Sequence, residues 1–192
     1  AAVKIAVDMV AENLITKPQA ILRVDPYGID QLLHPRLDPK RKGTPIAKGL
    51  PASPGAVSGA VVFTSNDAER EKNAGKKVIL VRHETSPEDI HGMDAAVGIL
   101  TALGGMTSHA AVVARGMGKC CVSGAGAVHV DLKARTMTVG DAVYHEGDWI
   151  SLNGSTGEVY VGKLETKDAE LSGDFGALMA LTDKYKRLEI RA

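Results

Sequence analysis

Aromatic residues are scarce in this chain of 192: one Trp, two Phe and four Tyr, 4% in all. Its core must therefore rest on Val, Ile, Leu and Ala. Net charge is missing as well, because 23 Lys and Arg balance 23 Asp and Glu. No global field draws the chain to nucleic acid or to an anionic membrane, and neither is expected as a partner. No apolar run is long enough to span a bilayer, and no secretory pattern opens the chain. Cysteine is confined to the adjacent pair Cys120 and Cys121. Neighbouring residues rarely form a disulfide, and a pair without further partners lacks zinc spacing. Both are expected to be small apolar fillers on a buried strand, reduced as in an intracellular compartment. An initiator Met is also missing; the chain opens mid-helix and is expected to be a segment of something longer.

What is present is the balance of a globular protein, with 44% hydrophobic and 24% charged residues. Val3, Val7, Val10 and Leu14 share a helical face. Thr16 and Gln19 have capping-box spacing, and Asp25-Pro26 opens a third short helix. Asp38 to Pro45 reads as a linker, which divides the chain into residues 1–45, 46–165 and 166–192. After Ile46 short strands take over: Ala56 to Phe63, Val78 to Val81, Cys120 to Val122, Val128 to Val130, Thr136 to Val139, Trp149 to Leu152 and Glu158 to Val161. Helices are expected at Asn66 to Ala74, from Ser86-Pro87-Glu88-Asp89, and from Asp174 to Arg187. Leu188 to Arg191 begins another strand. Helices alternate with strands in the first half and strands dominate the second, an α/β pattern that suggests a three-layer β/β/α unit with helical linkers on both sides.

One stretch concentrates chemistry. Ala96-Val97-Gly98-Ile99-Leu100 reads as a buried strand, and Gly104-Gly105 permits a tight turn. Ser108 is a fair N-cap, and His109 to Arg115 is apolar on nearly every side, as a buried helix would be. An imidazole is thus presented at the positive end of a helix beside free backbone N–H groups, where a phosphate is well held. Imidazole, with an ordinary pKa of about 6.5, is a competent phosphoryl acceptor near neutrality. Gly104, Gly105, Met106 and Ser108 are expected to shape the phosphate loop, and Thr107 is a turn hydroxyl. Arg115, about 120° round the helix from His109, is expected to be a C-terminal helix charge. His34, His83, His91, His129 and His145 lack any such setting and read as ordinary surface or core residues. Competing motifs fail: adjacent Ser108 and His109 diverge by about 100°, and no Gly-x-Ser-x-Gly elbow exists. Gly124-Ala125-Gly126 lacks the third glycine of a dinucleotide fingerprint, and Gly118-Lys119 is no P-loop.

The stretch Gly104 to Gly118 resembles the phosphohistidine signature of the phosphoenolpyruvate-utilising enzymes, specifically their pyruvate, phosphate dikinase branch. The match extends to Gly49-Leu50-Pro51-Ala52-Ser53-Pro54-Gly55-Ala56, to Val78 to Arg82 with Glu84 to Asp89, and to Lys119 to Gly124. Met106-Thr107-Ser108 argues against the nearest alternative, a phosphoenolpyruvate synthase; a non-catalytic scaffold domain is the alternative of another class. Leu103 stands where most dikinases carry Arg, so no phosphate contact is expected from that side chain. The resemblance implies a swivelling phosphohistidine domain in which His109 is the catalytic acceptor. It would relay a phosphoryl group between ATP/AMP with phosphate/pyrophosphate at a preceding nucleotide domain and pyruvate/phosphoenolpyruvate at a following barrel. It further implies Thr107 as a regulatory phosphorylation site, and Mg2+ and a monovalent cation at other domains with no metal in this segment. A homodimer, and a cytoplasmic or organellar home such as chloroplast or glycosome, are also implied.

Overall fold

A computed structural model describes residues 2–30, 33–38, 43–167 and 173–188. They belong to two compact units, His34–Asp168 and a second composed of Ala1–Leu33 with Ala169–Ala192.

The second unit is helical. Helices α1 (Ala2–Ala11), α2 (Lys17–Arg23) and α3 (Pro26–Asp30) are joined by the helix Asp174–Tyr185. Val3, Ala6, Ala20, Val24 and Leu178 form its core. The expected capping box is present, with Thr16 accepting from the Gln19 backbone N–H and Gln19 accepting from that of Thr16. Such a cap is worth about 1 kcal/mol. Leu14 lies beyond α1 and is exposed. Residues 189–191 of the strand expected at Leu188 to Arg191, and the middle of the Asp38 to Pro45 linker, lie outside the described residues.

The larger unit runs β1 (Arg36–Leu37), β2 (Ala47–Lys48), β3 (Leu50–Ser53), β4 (Ala56–Val62), α4 (Ser65–Asn73) and β5 (Val78–Arg82). A 3-10 turn, Pro87–Asp89, leads into α5 (Ile90–Ala95), then β6 (Gly98–Thr101), α6 (His109–Gly116) and β7 (Cys120–Ser123). Strands β8 (Val128–Asp131), β9 (Thr136–Val139), β10 (Ala142–His145), β11 (Trp149–Asn153), β12 (Glu158–Val161) and β13 (Thr166–Lys167) follow.

Eight strands form one sheet in the order β2-β12-β11-β4-β5-β6-β7-β3, and β10-β9-β8 form a second, antiparallel sheet. Within the large sheet β4, β5, β6 and β7 run parallel. Side-chain alternation along the strands separates the layers. Ile79 and Val81 of β5 join Val128 and Met137 of the small sheet in one core. Val78 and Leu80 join Ala68 of α4, Met93 of α5 and Ala110, Ala111 and Ala114 of α6 in another. The architecture is thus the expected β/β/α sandwich. Burial on both faces explains why β5 reads as an unbroken apolar run. Cys120 and Cys121 face opposite cores, and burial pushes both thiols up to about 12.

Three features differ from the sequence reading. Helix α6 buries only Ala110, Ala111 and Ala114, while Val112 is 55% exposed; the helix covers one face of the sheet and meets nothing on its other side within this unit. Strand β10 was not anticipated, because it is short and mostly exposed; it pairs with β9 across the two-residue turn Gly140-Asp141, with Gly140 at positive φ. The compact unit also begins at His34 rather than at Ile46. Arg36 and Leu37 pair with Lys167 and Thr166, so the two chain ends of the unit are zipped together.

Candidate functional site

Parallel strands end on the same edge of a sheet, and the loops leaving β5, β6 and β7 therefore lie side by side. The His109 loop leaves β6, and the loop containing Thr85 leaves neighbouring β5. Thr85 Oγ1 lies 3.0 Å from His109 Nδ1. Ser86 to Asp89 anchor that loop. Asp89 accepts from the backbone N–H and hydroxyl of Ser86, from Ser65 Oγ, and from Arg82. Burial would raise the Asp89 carboxyl; the Ser86 N–H, the Ser65 hydroxyl and Arg82 outweigh it and hold the group below the usual carboxylate range.

Local chemistry builds the other wall. Ser108 has extended backbone and its Oγ accepts from the Ala111 N–H, so it is the N-cap expected of it, and His109 is the first residue of α6. Gly104 takes φ +113, where only glycine is comfortable, and a Cβ there would stand 2.9 Å from Ser108 Cβ and Oγ and from Ser123 Oγ. Gly124 closes the loop from β7 in the same way, since its missing Cβ would lie 2.5 Å from the Gly104 carbonyl oxygen. Gly105 is exposed and its carbonyl accepts from the Ser108 N–H, which makes the turn into the helix. Met106, 42% exposed, presents its side chain outward, and Thr107 is exposed beside it.

Arg115 lies in the last turn of α6, the C-terminal helix charge expected of it, and it also holds the loop. Its Nε donates to the Ala111 carbonyl and its guanidinium reaches back to the Met106 carbonyl, tying the loop to α6. Leu103 is half exposed, and its backbone N–H donates to the His83 carbonyl, which joins the loops from β5 and β6.

Three hydroxyls that the sequence reading passed over complete the arrangement. Thr85 contacts the imidazole directly. Thr101, at the end of β6, donates to Ser123 Oγ at 3.1 Å, and Ser123 Oγ lies 3.3 Å from Ser108 Oγ. Thr101 and Ser123 are completely buried. The available signals were the runs Glu84 to Asp89 and Lys119 to Gly124, quoted for the family resemblance but silent about which strands their residues would neighbour.

The arrangement accommodates the imidazole in either tautomer, since the Thr85 hydroxyl can accept from Nδ1–H or donate to a bare Nδ1. With its proton on Nδ1 donated to Thr85, Nε2 keeps a free lone pair beside the N-terminal end of α6. A helix start favours an incoming anion by about 0.3–2 kcal/mol. Among the described residues no group of three His, Cys, Asp or Glu could hold a metal ion, and no helix is long and apolar enough to cross a membrane.

Known proteins resemble this chain in sequence. Residues 74–157, which include both loops, match the family model of the PEP-utilising enzyme, mobile domain. The chain is 58% identical over its whole length to pyruvate, phosphate dikinase 2 of Oryza sativa subsp. japonica. It is 54% identical over 99% of its length to the pyruvate, phosphate dikinase of Rhizobium meliloti (strain 1021), and 52% identical over its whole length to that of Clostridium symbiosum. It spans only 22%, 21% and 22% of those proteins respectively. A solution structure of Enzyme I aligns with 57% of the chain at 21% identity and TM-score 0.33, a superposition too loose to bear on the fold. With a mobile-domain match over both loops and relatives of one kind along its length, the chain carries, at residues 74–157, the mobile domain of the PEP-utilising enzymes.

Proposed function

We propose that this chain is the central phosphocarrier segment of a pyruvate, phosphate dikinase, with His109 as the residue that carries the phosphoryl group. The observation that supports this most is the pairing of His109 Nδ1 with Thr85 at the start of α6; in the tautomer that donates Nδ1–H to Thr85, Nε2 is the nucleophile. In the reaction so assigned, Nε2 attacks the β-phosphorus of ATP; the bond to the bridging oxygen breaks and AMP leaves. Inorganic phosphate takes the terminal phosphoryl group as pyrophosphate, and His109 keeps the other. The enolate oxygen of pyruvate then takes that group, giving phosphoenolpyruvate and restoring the imidazole. Each step is reversible, and splitting the transfer in two is what a covalent carrier contributes.

The compact unit His34–Asp168 serves as the swivelling module, with 1–33 and 169–192 as connectors to a nucleotide domain and a barrel. ATP, phosphate and pyruvate are bound by those neighbours. Magnesium and a monovalent cation are assigned to them too. The full-length enzyme is a homodimer in the cytoplasm or an organelle, and Thr107 is the position at which phosphorylation would block transfer by repulsion beside His109. Incubating the full-length protein with labelled phosphoenolpyruvate should place acid-labile, base-stable label on His109. His109→Asn should abolish both the label and turnover; a labelled or active variant would overturn the proposal.

A further inference from the structure

We propose that buried Ser123 is a positioning residue for the phosphohistidine, acting through Ser108 to turn that hydroxyl's proton toward the transferred group. The inference rests on His109 being the phosphoryl acceptor and adds what holds the group once it arrives.

A count of donors and acceptors fixes the polarity. A serine hydroxyl has one proton and two lone pairs. Thr101 Oγ1 donates to Ser123 Oγ, which occupies one of Ser123's lone pairs and leaves its proton to place. Ser123 is completely enclosed, and its other hydroxyl neighbour is Ser108 Oγ at 3.3 Å. Ser123 therefore donates to Ser108. Ser108 Oγ also accepts from the Ala111 N–H in capping α6, so both of its lone pairs are taken from within the fold. Only its proton remains, on a half-buried side chain adjacent to His109. The direction Thr101 to Ser123 to Ser108 makes Ser108 a donor toward whatever acceptor reaches the helix start. A phosphoryl group, with its anionic oxygens, is such an acceptor.

Close packing keeps the chain of hydroxyls in register. Gly104 leaves no room for a Cβ beside Ser108 and Ser123, and the strands holding Thr101 and Ser123 are adjacent and parallel. A neutral relay of this kind stabilises an anion without a fixed charge that would retain it, which suits a group that must be passed on.

The test measures phosphorylation of the full-length protein by labelled phosphoenolpyruvate, with phosphoprotein half-life and thermal midpoint followed alongside. Ser123→Ala should slow phosphoryl uptake about tenfold or more, the loss expected for one oriented hydrogen bond to an anion. Because Ser123→Ala leaves the Thr101 hydroxyl buried without its acceptor, Thr101→Val/Ser123→Ala is the control for folding: it should recover thermal stability and remain slow. Ser108→Ala/Ser123→Ala should be no slower than Ser108→Ala alone, since one acts through the other. Wild-type uptake in Ser123→Ala, recovery of rate in the Thr101→Val double variant, or additive losses with Ser108→Ala would each overturn the inference. Absence of label from the wild-type protein would instead overturn the carrier reading beneath it.

Discussion

Two polar clusters in the larger unit are built on opposite plans. Around His109 the side-chain partners are hydroxyls: Thr85 on the imidazole, with Thr101 and Ser123 behind the capping Ser108. Around Asp67, near the start of α4, the partners are the Thr64 hydroxyl and a set of ions. Asp67 pairs with Arg70 and with Arg135 from the turn after β8, Arg135 and Arg70 also meet Glu146, and Glu71 pairs with Lys76. The ionic cluster ties a helix to two turns and has its charges matched within the fold. The hydroxyl cluster is neutral, which suits the carrier role proposed for it: roughly two negative charges could arrive and depart without stranding a counter-ion. A permanent joint is served by compensation; a carrier site is served by oriented dipoles.

Crowding the neutral cluster should produce the largest effect. Gly104→Ala places a methyl group against Ser108 and Ser123 at a positive φ, at a cost of about 1–3 kcal/mol for the backbone alone. Histidine phosphorylation should fall to background while circular dichroism still reports a folded protein. Normal labelling would show that the hydroxyl cluster tolerates rearrangement and dissolve the contrast. Next comes Thr85→Val, which keeps shape and removes the Nδ1 partner; nitrogen NMR of the imidazole should show a mixture of tautomers, and phosphorylation should slow about tenfold. An unchanged tautomer would mean that the imidazole is oriented by something else.

The ionic cluster should respond in stability and not in phosphoryl uptake. Asp67→Ala should lower unfolding free energy by about 1–3 kcal/mol with the labelling rate retained. Burial would raise the Asp67 carboxyl, yet hydrogen bonds from Thr64, Arg135 and Arg70 hold it below the ordinary value. Its folded pKa therefore lies under the unfolded value of about 3.9. The stabilisation is complete above that pH and is lost as pH falls through the lowered folded pKa. Thermal midpoints measured down through acid should decline less steeply in Asp67→Ala than in the parent protein. The smallest expected signal comes from Cys120 and Cys121: raised to about 12 by burial, they should resist alkylation at neutral pH until the protein unfolds.

Much of this was legible in the chain of letters because it is local. The Thr16 capping box, the Ser108 N-cap, the glycine turn at Gly104 and the apolar run of β5 are each decided within a few residues by hydrogen-bond geometry, backbone freedom and periodicity. The place of His109 at the helix start belongs to this class, since a glycine turn, a cap and an imidazole in succession state their own arrangement. Local reasoning misjudged α6, because an all-apolar helix need not find a partner on every side, and it passed over β10, whose exposed edge carries little hydrophobic pattern.

The partners of that histidine were decided by tertiary structure alone. Thr85 precedes His109 by one strand, two turns and a helix, and it meets the imidazole because β5 and β6 run parallel with their carboxyl ends together. Ser123 reaches Ser108 through the same adjacency of β6 and β7. Strand order follows from how the whole sheet buries its two faces, a sum over residues from Ala47 to Val159 that no short window of the sequence contains. A residue's own backbone preferences can place it at a helix start; only the packing of distant strands can choose what stands beside it.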